Sequence, residues 1–94
     1  MTTIISSDKA KHAPNNAPHP GVLLQQHLDE RDMKPSVFAL TIGAYPSAIV
    51  ELIKGKRNIS AAMALKLEQA LGKPAEYWMR AQADYEVHVE RRKG

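Results

Sequence analysis

The stretch FALTIGAYPSAIVELIKGKRN, Phe38 to Asn58, decides how the chain is read. Phe38, Ala39 and Ile42 recur at helical spacing, and so do Ile49, Leu52 and Ile53. Gly43 separates the two patterns, and Pro46 suits the first turn of a new helix because its missing N–H has no partner to lose there. Tyr45 precedes the proline and is biased away from helical angles, which sharpens the break. Gly55 ends the second pattern, and Lys54, Lys56, Arg57 and Asn58 crowd the exit.

Two short helices that meet steeply around a tight turn need particular residues. Ala39 is small enough for the second helix to cross it, and Gly43 can take the positive φ of the turn. Phe38, Ile42, Ala44, Ile49 and Leu52 fall where apolar side chains must fill the angle. This is the arrangement of a helix-turn-helix.

Outward from that core the chain stays helical. Val22, Leu24, Leu28 and Met33 give an apolar face to a helix that starts after His19-Pro20-Gly21. Pro35 opens the second helix. Ser60 is placed to cap a fourth, lined by Met63, Ala64, Leu67 and Leu71 and closed by Gly72. Pro74 opens a fifth, with Tyr77, Trp78, Ala81, Tyr85 and Val89 on one side. No stretch alternates with strand period, so the spacing predicts an all-α fold of about five helices with a central helix-turn-helix.

The chain has 94 residues, room for one domain. The expected division is a flexible N-terminal arm over residues 1–19, a domain over 20–90 that ends in a C-terminal dimerisation helix, and a basic tail over 91–94. The arm is rich in Ser, Asn, Pro, Ala and His, has no apolar period, and carries Lys9 and Lys11.

Composition narrows the function. There is no cysteine, which excludes disulfides and thiolate metal sites and fits a cytoplasmic location. No apolar run approaches a membrane span. The four histidines, His12, His19, His27 and His88, include no pair at helical ligand spacing, so no metal and no cofactor is expected. No nucleophile–base context or Gly-rich phosphate loop supports catalysis, so the chain is not expected to be an enzyme. A net charge of +3 suits a polyanion partner, and its clustering after the second pattern suits a DNA backbone.

Three segments together resemble the HigA-type antitoxins, a branch of the Xre/Cro-like helix-turn-helix proteins. They are HPGVLLQQHLDERDM (19–33), FALTIGAYPSAIVELIKGKRNISAAMALKLEQALG (38–72) and PAEYWMRAQADY (74–85). The most distinctive elements are His19-Pro20-Gly21, Lys54-Gly55-Lys56-Arg57 through Ile59-Ser60, Met63-Ala64-Leu65, and Glu76-Tyr77-Trp78 with Gln82. The resemblance implies a lambda-repressor-like DNA-binding domain in a dimeric antitoxin that neutralises a RelE-like toxin, which cleaves mRNA, and represses its own operon at a palindromic operator. It implies three partners: double-stranded DNA, a cognate toxin protein and a second copy of the chain.

Carried onto this chain, Tyr45, Ser47, Ala48 and Glu51 face bases. Ser36, Lys54, Lys56, Arg57 and Asn58 hold phosphates. Tyr77, Trp78 and Tyr85 lie on the last helix and either close the core or form the dimer seam, two readings that agree if one ring lies inside and the others at the seam. The chain departs from the family at its reading helix, where members usually carry Ser, Arg or Thr at several positions, and at Pro35, where they often have Gln or Ser. A reading face poor in donors leaves three readings open: few direct base contacts helped by DNA shape, a changed specificity, or a scaffold that binds a toxin but no longer reads DNA. A stand-alone Xre-type repressor without a toxin is the alternative within the same class.

Overall fold

A computed structural model describes residues 17–93. Five helices follow one another: α1 (Pro20–Glu30), α2 (Pro35–Thr41), α3 (Pro46–Ile53), α4 (Ala61–Leu71) and α5 (Ala75–Lys93). No strand occurs among the described residues, and no helix is long and apolar enough to cross a membrane. The all-α expectation holds.

Local chemistry sets the boundaries. Proline begins α1, α2 and α3, where the absent N–H leaves no bond unmade. Ser60 caps α4 by accepting the Met63 N–H (3.1 Å), and Gly72 closes it at φ 87°. Gly43 turns between α2 and α3 at φ 72°, a left-handed conformation glycine adopts without steric cost. The sequence did not announce two further caps. The Glu68 carboxylate accepts the Ala75 N–H at the start of α5 (2.7 Å), and the Arg31 guanidinium donates to the Leu71 carbonyl at the end of α4 (3.2 Å).

The core joins all five helices. Leu24 and Leu28 of α1, Phe38 and Ala39 of α2, Ile49 and Leu52 of α3, Ala64, Leu67 and Leu71 of α4, and Trp78 of α5 pack together with Ile59. α2 packs chiefly on α3, and α4 on α5. Val22, expected on the apolar face of α1, is 44% exposed. Leu24 and Leu28 are one turn apart and define the buried stripe, so a residue two positions before Leu24 points away from it.

The expected arm falls outside the described residues up to residue 16. His19, at its end, belongs to the fold: it is 8% exposed, and its Nδ1 accepts the Gly21 N–H (2.9 Å) as the cap of α1. At the other end α5 runs through Arg91 and Arg92 to Lys93.

Candidate nucleic-acid interface

The candidate site is the outer face of α3 and the loop behind it. Tyr45 precedes the helix and is 81% exposed. Ser47 is exposed one turn before Glu51, which is half-buried. Ala48 lies on the other side. It is 9% exposed and turns inward beside Ile49 and Leu52, so its methyl packs the core and is not available to a base. The expectation that Ala48 faces bases is corrected on that ground.

Lys54, Lys56, Arg57 and Asn58 are all exposed, and so is Ser36 in the first turn of α2. The loop is folded back against α3. The Gly55 N–H donates to the Leu52 carbonyl (3.1 Å), and the Lys56 N–H to the Glu51 carbonyl (2.8 Å). Arg57 differs from its neighbours. Its Nη2 and Nε both donate to Glu51 Oε1, at 2.8 and 3.2 Å. A base-facing and a phosphate-facing expectation thus meet in one ion pair, which the sequence did not reveal because side-chain direction in a loop has no period.

Buried groups support the loop from below. The His19 ring lies beside Gly55 and edge-on to Tyr85, with centroids 4.8 Å apart. Burial pushes its pKa below the ordinary imidazole range, and the Arg57 backbone opposes the shift, although Nε2 has no partner in hydrogen-bond geometry. Where the loop ends, Gln82 of α5 accepts the Ile59 N–H (2.8 Å) and donates to Glu86 (2.8 Å). Gln82 is 4% exposed, so its amide serves as a strut between the loop and α5.

Of the three aromatic residues expected at a dimer seam, Trp78 lies in the protomer's core, while Tyr77 and Tyr85 are partly exposed. Trp78 is fully buried, which removes it from any interface between copies. Tyr77 is half-buried and stands perpendicular to the Trp78 ring at 4.9 Å, with its hydroxyl 3.4 Å from His27 Nε2. Tyr85 packs on His19. The exposed large apolar residues of α5 are instead Met79 and Val87. No group of three or more His, Cys, Asp or Glu suited to a metal occurs among the described residues.

Known proteins resemble this chain in sequence and fold. A family profile described as helix-turn-helix matches residues 24–78. Virulence-associated protein A' of Dichelobacter nodosus is 38% identical over 73 residues, covering 77% of this chain, which spans 64% of that relative's length. A Pseudomonas aeruginosa protein solved in complex with its operator DNA superposes with a TM-score of 0.79 at 26% identity, over 84% of this chain and 86% of that one. An addiction module antidote protein of a HigA family from Coxiella burnetii superposes at 0.80 and 26% identity, over 83% and 86%.

Proposed function

The chain belongs to the helix-turn-helix family, in its Xre-like branch, and on that premise we propose that it is an antitoxin that also represses its own operon. It is a DNA-binding regulator and not an enzyme. In this reading it binds and neutralises a RelE-like mRNA-cleaving toxin, and as a homodimer it occupies a palindromic operator. The observation that carries the DNA-binding part is the exposed outer face of α3 beside a folded-back loop bearing Lys54, Lys56 and Arg57. The similarity to a protein solved in complex with its operator DNA supports DNA binding. The similarity to a HigA-family antidote supports the antitoxin role.

In that arrangement Tyr45 and Ser47 meet the major groove, where the N-terminal residues of a reading helix contact base edges. Lys54, Lys56, Asn58 and Ser36 lie against phosphates, which set register and supply salt-dependent affinity. The test is a titration into labelled duplexes from the DNA upstream of its own gene and into scrambled duplexes, at several salt concentrations. Tight, salt-sensitive binding that prefers the native sequence is expected, and equal weak binding to both duplexes, with and without the neighbouring gene's product, defeats the repressor reading. For the antitoxin part, co-expression with that gene's product should relieve the growth arrest it causes alone.

A further inference from the structure

The segment from Tyr45 to Ile53 contains no Arg, Lys, Asn or Gln, the side chains that read base edges best. The fold brings a donor to it from outside. Arg57 turns back from the loop until Nε and Nη2 both reach Glu51 Oε1, and the two side chains are 50% and 47% exposed. Glu51 stands one turn after Ser47 on the same helix face, so the guanidinium is held on the reading side of α3. Two backbone bonds, Lys56 N–H to the Glu51 carbonyl and Gly55 N–H to the Leu52 carbonyl, fix the loop close enough for this. A guanidinium carries five N–H donors in a planar fork. The carboxylate engages two of them, which leaves both donors on Nη1 and the second on Nη2 uncommitted to it.

We propose that Arg57 is the specificity-determining residue of this interface, reading a guanine edge in the major groove, and that Glu51 is a positioning residue that holds its guanidinium on the reading face. The inference rests on the DNA-binding reading above and changes the role of both residues within it. Glu51 does not read cytosine, and Arg57 is not one more phosphate contact. Arg57 supplies the bidentate donor that α3 itself lacks, and guanine O6 and N7 are the acceptors that such a fork matches.

The proposal fixes the sign of an otherwise ambiguous mutation. A carboxylate beside DNA phosphates repels them, so if Glu51 has no positioning role, neutralising it should tighten binding. If Glu51 positions Arg57, neutralising it should weaken binding to the native site. An exposed ion pair contributes little to folding, so the variants keep their structure.

The experiment compares wild type, Glu51→Gln and Arg57→Lys on the native upstream duplex, a scrambled duplex, and native duplexes with single guanines replaced by 7-deazaguanine. Arg57→Lys keeps the charge but loses the planar fork that engages Glu51 and a base edge at once, so it should retain scrambled-duplex affinity while losing about tenfold or more of the native preference, the scale of one bidentate base contact. Glu51→Gln should lose a smaller part of the same preference. One 7-deazaguanine position should weaken wild type and leave Arg57→Lys unaffected. An unchanged preference in Arg57→Lys, or tighter binding of Glu51→Gln to both duplexes, overturns the proposal and returns Arg57 to the phosphates. If wild type shows no preference for the native duplex, with and without the neighbouring gene's product, the DNA-reading function falls and takes this proposal with it.

Discussion

At the scale of single residues, two neighbours at the start of α1 account for His-Pro-Gly in physical terms. Gly21 lies where α1 crosses the last turn of α3, and a Cβ there would press on the Leu52 carbonyl, with the Leu52 carbonyl carbon at 2.8 Å and Ile53 Cα at 2.9 Å. These are backbone atoms, and the Leu52 carbonyl already accepts the Gly55 N–H, so they cannot step aside cheaply. Gly21→Ala is expected to cost roughly 1–3 kcal/mol, the range for overpacking, and to lower the denaturation midpoint accordingly. His19 makes a different prediction. Its pKa is lowered in the folded state, chiefly by burial, so the folded protein binds fewer protons than the unfolded chain as pH falls through the ordinary value of 6.5. Protonation also removes Nδ1 as the acceptor for the Gly21 N–H. Stability should therefore be complete above that pH and decline as acid is added, and His19→Asn, which retains a capping acceptor, should flatten the decline in thermal melts from about pH 7.5 to about pH 5. The His19-Pro20-Gly21 signature was visible in the sequence. The burial of His19 was not, because Tyr85 and Gly55, which cover it, come from distant parts of the chain.

At the scale of elements, the helices were legible wherever a period coincided with a stop signal. Pro35, Gly43, Pro46, Gly55, Ser60 and Gly72 all act where their chemistry places them. What the period could not resolve was the edge of a face. Ala48 was expected on the reading face and packs inward, while Val22 did the reverse. Ties between elements were invisible as well, since Gln82 on its helix carries no sign that its amide will hold Ile59. Gln82→Leu should leave the buried Ile59 N–H without a partner and cost about 1–3 kcal/mol, together with faster hydrogen exchange at that amide. A structure in which the loop docks by side-chain packing alone would show no change in exchange at Ile59. The loop makes a separate prediction. Lys54→Ala with Lys56→Ala should reduce the slope of log affinity against log salt by about 0.9 for each phosphate no longer neutralised, on native and scrambled duplexes alike.

At the scale of the whole molecule, the palindromic operator of the proposed function asks for two copies related by a twofold axis, and of the aromatic residues suggested for the seam Trp78 is buried in the protomer's own core. The face left on α5 carries Met79, Ala83 and Val87, each one turn from the next and all exposed. Its pattern is self-complementary. An antiparallel pairing of two α5 helices centred on Ala83 sets Met79 opposite Val87 and Arg80 opposite Glu86 of the second copy, with the smallest side chain on the axis where the backbones come closest. Isologous pairing of this kind closes a dimer and leaves no further edge to extend. Ala83→Arg should then split the dimer, because two guanidinium groups would meet at the axis. Light scattering should report the protomer mass, and circular dichroism and melting of the protomer should stay near wild type, since Ala83 is exposed in the single chain. Operator affinity should fall more steeply than scrambled-duplex affinity, because the two half-sites would no longer be held in register. A variant that remains a dimer would move the seam to another exposed apolar face, of which Val37 and Leu40 on α2 form the most open, at 50% and 71% exposure.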